Sequence, residues 1–269
     1  MQIVHILFNI INCLIIYKLT LSYTNFNKAI IASLISIIAY IFLPSTLINS
    51  AAILIIFLAA MTLFKYYDNM KIYKIIPLGI LISILAIIRL DMATFIYGMY
   101  FWAMFWAGIA NVDGLSLPVF NRIIHGLSHS FFFTLIVFLA AIPYLIFKIL
   151  NNKLDFFLGT LHNEIVKMFS SSGIFKLPEN MIFFVPLIIY ITSLLLLIIK
   201  HKRKILLANT PNFWKEMLIL NFGLNLYPQA IATPDAEHFL PLLLVASMLI
   251  PNLATYITLQ KTNKTIIKY

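Results

Sequence analysis

AIIASLISIIAYIFLPSTLINSAAILIIFLAAMTLF, residues 29–64, runs for 36 residues without a charged side chain. A bilayer core takes about 20 apolar residues of helix, so this run is too long for one crossing and suits two. Pro44, Ser45 and Thr46 fall near its middle. Proline removes a helical hydrogen bond and biases the preceding residue away from helix, which predicts a hairpin of two membrane helices. The pattern recurs at 75–110, again 36 residues, this time interrupted by Arg89-Leu90-Asp91. Working outward, further apolar segments lie at 1–17, 130–150, 181–199, 217–232 and 239–260. The expected fold is all-α: a polytopic transmembrane helix bundle of about nine spans, with 1–269 forming one transmembrane domain. Within 151–180, Phe156, Phe157, Leu161, Ile165, Val166 and Met168 recur at roughly helical spacing. That spacing predicts a short amphipathic helix lying at the membrane interface.

The composition leaves little alternative. Only 10% of residues are charged and 62% are hydrophobic, whereas a soluble domain carries about 25% charged residues to cover its surface. The net charge of +10 is explained by basic loops between spans and does not call for a nucleic-acid partner. Cys13 is the only cysteine; it has no disulfide partner and behaves as a small apolar residue. The opening residues MQIVHILFNI lack a basic leader and a small-residue cleavage site, so they do not read as a removable signal peptide.

Lysine and arginine collect in cytoplasmic loops. The connections 18–28, 65–74, 111–129 and 200–216, with the C-terminal tail, hold 14 basic residues, and the opposite side holds 5. This predicts a cytoplasmic C-terminus and an outside N-terminus. It places Arg89–Asp91, the 151–180 segment and TPDAEH (233–238) together on the outer face. An outside start without a leader is an awkward beginning, and it raises the expectation of a further span upstream.

Charge close to hydrocarbon is costly and therefore informative. Asp235 and His238 stand three apart, which places them on one face of a helix start. A structural account of this stretch exists, with Thr233 as N-cap, Pro234 in the first turn, and Asp235 and Glu237 favouring the positive helix end. The functional account is a carboxylate–imidazole pair that moves a proton or holds a hydroxylated or phosphorylated ligand. Arg89 offers a similar choice, between reaching toward lipid headgroups and binding a phosphate. Asp91, two residues on, lowers the local positive charge and disfavours simple headgroup binding. His162 and Glu164 lie in the interfacial segment and are two apart, so they do not share a helix face. His125 and His129, four apart, could bind a metal, but no cysteine or second acidic set accompanies them; no metal or cofactor is expected. Lys200–Lys204 reads as an orientation anchor. The aromatic run at 95–106 reads as lipid-facing and interhelical packing, with Gly98 and Gly108 allowing close approach. Asn9, Asn12 and Asn49 read as interhelical hydrogen-bonding groups. No Walker, serine-protease, rhomboid or zincin pattern is present, and no internal repeat of the transporter kind.

IIPLGILISILAIIRLDMATFIYG (75–98) resembles the span of GT-C-type integral membrane glycosyltransferases that ends in Arg-x-Asp at the outer surface. LYPQAIATPDAEHFLPLLLVASML (226–249) resembles their late outer loop and final Leu/Pro-rich helix, with Asp235-x-x-His238-x-x-Pro241 as the best match. FNIINCLIIYKLTLSYTNFNKAIIASLI (8–35) is loosely similar to their second and third spans. The resemblance implies transfer of a sugar from a polyprenyl-phosphate donor to an acceptor glycan, lipid or protein outside a bacterial cytoplasmic membrane. It assigns Arg89 and Asp91 to donor binding, and Asp235 and His238 to catalysis or positioning. His162, Glu164 and Glu237 would line the substrate cavity. Thr233 stands where the family favours arginine. The family's catalytic carboxylate sits on a large first outer loop that would precede residue 1, so the resemblance implies the C-terminal part of a larger enzyme or a split or degenerate copy. The alternative is a non-catalytic polytopic membrane protein such as a transporter, flippase-like protein or assembly partner.

Overall fold

The computed structural model describes residues 2–43, 45–112, 114, 117–151, 159, 163, 181–232 and 236–266, with the side chains at 229, 232 and 255–266 not described. Nine α-helices and no strand occur among the described residues. They are α1 (Gln2–Leu21), α2 (Phe26–Phe42), α3 (Leu47–Tyr67), α4 (Ile75–Ile88), α5 (Leu90–Ile109), α6 (Val119–Leu150), α7 (Phe184–Lys202), α8 (Pro211–Ala232) and α9 (Ala236–Ile266). The segment predicted to hold an interfacial helix lies outside the described residues, apart from two isolated positions.

The chain is a multi-pass membrane protein. Among the described residues, six helices are long and apolar enough to cross a bilayer: α1, α3, α5, α6, α7 with the turn before it, and α9 over Ala236–Ala254. The remaining three fall short for two physical reasons. Phe26–Phe42 and Ile72–Ile88 are apolar but only 17 residues each, about 26 Å of helix at 1.5 Å per residue. α8 is long enough but carries Lys215, Glu216, Asn221 and Asn225. Its apolar residues Leu218, Ile219, Leu220, Phe222 and Leu226 are buried against other helices, so α8 is sheltered by protein and does not need a lipid-compatible surface.

Two predicted interruptions occur where the sequence placed them. α2 ends at Phe42 and α3 begins at Leu47, with the Thr46 hydroxyl capping the Asn49 N–H at 3.3 Å. At the second, Arg89 alone breaks the chain between α4 and α5, with φ −144° and ψ 86°. Its N–H still reaches Leu85 O at 2.7 Å and its carbonyl accepts from Ala93 N at 3.0 Å, so Arg89's own backbone groups stay bonded across the break. The predicted loop at 111–129 is shorter than expected, because α6 starts at Val119 just after Pro118. Phe120, Ile123, Ile124 and Leu127 follow the i, i+3, i+4, i+7 rule, which favours helix from this point.

α3 and α9 are the most buried spans. Around them, Tyr190 donates to Leu242 O at 2.6 Å and Tyr100 to Ile56 O at 3.2 Å. α5 and α6 pack by backbone approach. A Cβ at Gly108 would lie 2.6 Å from Gly126 Cα, and one at Gly126 would lie 2.5 Å from Phe105 O. Small residues that let helices approach closely replace the hydrophobic drive that lipid cannot provide. Gly98, expected to serve the same purpose, has open space around it. Trp102 and Trp106 are exposed while Tyr100 and Met104 are buried, so the aromatic run divides between a lipid side and a packed side.

Gly126→Leu is expected to force α5 and α6 apart and cost about 1–3 kcal/mol, the usual penalty of overpacking. Gly98→Ala is expected to be neutral or slightly stabilising. Thermal unfolding of both variants in one detergent checks the pair; a larger loss for Gly98→Ala contradicts the packing described.

Candidate functional site

Among the described residues, the charged side chains gather toward the two ends of the bundle. At one end, called here the Lys200 end, Lys200 meets Glu216 at 2.9 Å and Lys215 meets Asp68 at 2.6 Å. Lys28 Nζ donates to Asn252 Oδ1 at 3.0 Å, and the Tyr23 hydroxyl donates to Met248 O at 2.8 Å. Burial, with the Glu216 carboxylate adding to it, pushes the Tyr23 phenol well above its usual range. Tyr66 and His129 Nδ1 share a 2.6 Å hydrogen bond, and the His125 and His129 rings lie 4.2 Å apart. No group of three or more potential metal ligands occurs among the described residues.

The opposite end, called here the Arg89 end, is built from the α4–α5 break, the start of α9, the start of α1 and the turn into α3. Arg89 grips Asp91 with a two-pronged contact, Nε to Oδ1 at 2.9 Å and NH2 to Oδ2 at 2.6 Å. Both side chains are mostly shielded, at 18% and 26% exposure. Such fork geometry is the strong form of the charge pair. Asp91 also sits in the first turn of α5, where the positive end of the helix dipole favours a carboxylate. His238, in the first turn of α9, lies close enough to Asp91 for the two charges to interact. Residues nearly 150 positions apart in the chain therefore lie at the same end of the bundle.

Glu237 and His238 are held in place by an interaction that begins with a proline. Pro241 lies inside α9 and has no N–H to offer the carbonyl four residues earlier. That carbonyl belongs to Glu237. It accepts instead from Asn49 Nδ2 of α3 at 2.8 Å. The backbone group left by the proline is thus satisfied across a helix interface, and α3 is tied to the start of α9.

From Asn49 the polar track continues through its neighbour. Ser50 Oγ donates to Asn9 Oδ1 at 2.8 Å and lies 3.0 Å from His5 Nε2 and 2.7 Å from Ser45 Oγ. Ser45 Oγ is itself 3.1 Å from the same imidazole nitrogen. One helical turn deeper, Asn12 Nδ2 donates to Tyr40 OH at 2.9 Å and Ser50 O at 3.1 Å. The interhelical roles expected of Asn9, Asn12 and Asn49 are observed. The His5–Ser45–Ser50 cluster was not anticipated. Its signal was present, since His5, Asn9 and Asn12 follow i, i+4, i+7 spacing and mark one face of α1.

Of the residues singled out from sequence, Arg89, Asp91, Glu237 and His238 come to one end of the bundle. Asp235, with Thr233 and Pro234, lies outside the described residues, as do His162 and Glu164. The chemistry available at the Arg89 end is an arginine held by a carboxylate, an imidazole at the same end, and a hydroxyl–amide cluster linked to the start of α9 through α3. Comparison of the chain with protein-family models, curated proteins and solved structures finds no match.

Asn49→Leu is expected to strand the Glu237 carbonyl and cost about 1–3 kcal/mol, the penalty for an unsatisfied buried acceptor. Pro241→Ala restores an N–H at the right position, so the double variant should lose less than the sum of the two single variants. A double-mutant cycle by thermal or denaturant unfolding measures the coupling. Simple additivity contradicts the assignment.

Proposed function

We propose that the chain is a membrane glycosyltransferase of the GT-C type, or part of one, which takes a sugar from a polyprenyl-phosphate donor at the Arg89 end. The observation that supports this reading most is the meeting of Arg89, Asp91 and His238 at one bundle end. Arginine suits phosphate recognition because its planar fork matches the oxygen geometry. In the proposed reaction an acceptor hydroxyl attacks the anomeric carbon and gives its proton to a carboxylate or imidazole. The bond from the anomeric carbon to the phosphate oxygen breaks, and the polyprenyl phosphate leaves with its charge stabilised by Arg89. Asp235 and His238 position or deprotonate the acceptor; Glu237, His162 and Glu164 line the cavity.

The reading includes about nine spans. The 17-residue helices are close to the hydrocarbon thickness of about 30 Å, and α8 would cross in the shelter of its neighbours. The basic residues then set the Lys200 end in the cytoplasm. The Arg89 end faces outward, with the N-terminus outside and the C-terminus inside a bacterial cytoplasmic membrane. The Arg89–Asp91 fork also favours a second reading, a non-catalytic assembly partner, because an arginine already neutralised by its neighbour can be purely structural.

The two readings differ in one measurable respect. Asp91→Asn keeps the shape but removes the carboxylate charge that faces Arg89. Under the enzyme reading, the full chain in detergent binds polyprenyl phosphate, Arg89→Gln weakens that binding at least about tenfold, and Asp91→Asn strengthens it. A charged hydrogen bond of about 1.5–3 kcal/mol sets this scale. Native mass spectrometry with polyprenyl phosphate, bare and glycosylated, reads the effect. Equal binding by all three proteins favours the non-catalytic reading.

A further inference from the structure

A groove of about 350 Å³ lies between α1 and α2, lined by Leu14, Tyr17, Phe26, Ile30, Ser33 and Leu34. That volume is at the lower end of the range for small-molecule sites, roughly 300–1,000 Å³. It is distinct from the Arg89 end, because Tyr17 and Phe26 flank the turn that carries Tyr23. Phe26, Ile30 and Leu34 are spaced four apart and form a single stripe on α2, about 12 Å long. The Tyr17 and Phe26 rings meet edge-on at 6.3 Å across the mouth. The Ser33 hydroxyl is turned back to Cys13 O at 3.2 Å, so the floor of the groove presents no free donor to an apolar occupant.

One cation stands at the mouth. Lys18 follows Tyr17 and lies one turn beyond Leu14, which places it on the same face of α1 as the groove lining. It is exposed and has no carboxylate partner among the described residues. The positive end of the α2 dipole begins at the same mouth, where the Asn25 side chain takes only the Lys28 N–H, at 3.1 Å. An apolar stripe running into the bilayer, with an unpaired ammonium and a helix N-terminus at its boundary, has the charge and shape of a phospholipid: tail in the groove, phosphate at Lys18.

We propose that the α1–α2 groove is a binding site for an anionic phospholipid, with the acyl chain along Leu14, Phe26, Ile30 and Leu34 and the headgroup phosphate at Lys18. A basic residue at an anionic membrane surface favours binding by roughly fivefold. The full chain in detergent, given equal phosphatidylglycerol and phosphatidylcholine, is therefore expected to retain the anionic lipid by about that factor in native mass spectrometry. Lys18→Gln, a surface change that leaves the packing untouched, should abolish the preference. Ile30→Trp, which fills the groove, should lower retention of both lipids. Equal retention of the two lipids by the unaltered chain overturns the proposal, as does an unchanged preference in Lys18→Gln. Undiminished retention in a folded Ile30→Trp protein overturns the seating of the tail; Lys18→Gln tests the site even where Ile30→Trp does not fold.

Discussion

The bond from Asn49 to the Glu237 carbonyl expresses the constraint that governs the whole molecule. In an apolar solvent every backbone polar group needs a partner inside the protein. A proline in a membrane helix therefore leaves an acceptor that must be answered by a neighbour. In α9 the answer comes from a buried asparagine of α3, and the two most buried spans are joined by it. The same constraint explains the economy of the α4–α5 break, where Arg89 interrupts the helix and keeps its own N–H and carbonyl bonded. It also explains why the charged side chains of the described residues gather toward helix ends, where the backbone is open.

The two ends use this freedom differently. At the Lys200 end two charge pairs are made across helices, Lys215 to Asp68 and Lys200 to Glu216, with Lys215 and Glu216 themselves deeply buried. Removing one partner of a buried pair is far more damaging than never having built it, so this end is a clamp. At the Arg89 end the ion pair is made within one stretch of chain, by residues two apart. The long-range links at this end include neutral amides and hydroxyls, with Asn49 bonded to the Glu237 carbonyl and Ser50 to Asn9.

Much of the architecture was legible because it depends on length and polarity. The break between α2 and α3 and the interruption at Arg89 could be read directly, since a mostly apolar run of 36 residues exceeds one crossing. The start of α6 was hidden by polar residues, although Phe120, Ile123, Ile124 and Leu127 carried the helical period. Lys215 and Glu216 were read as loop residues because charge in a membrane helix is costly; their burial becomes affordable only through Asp68 and Lys200, which are distant in sequence. The His5–Ser45–Ser50 cluster joins residues 40 and 45 positions apart, and no local pattern names such a partner. That Asp91 and His238 share one end of the bundle was expected from alternating the crossings, a topological inference that needs no knowledge of side-chain packing.

That convergence is tested most directly by chemical crosslinking in intact membranes. In a Cys13→Ser background, which removes the chain's sole cysteine, Asp91→Cys combined with His238→Cys should be joined by a short thiol-specific crosslinker. Asp91→Cys combined with Lys204→Cys should not be joined, because those positions sit at opposite ends of the bundle. Absence of a crosslink in the first pair, or its appearance in the second, would contradict the account.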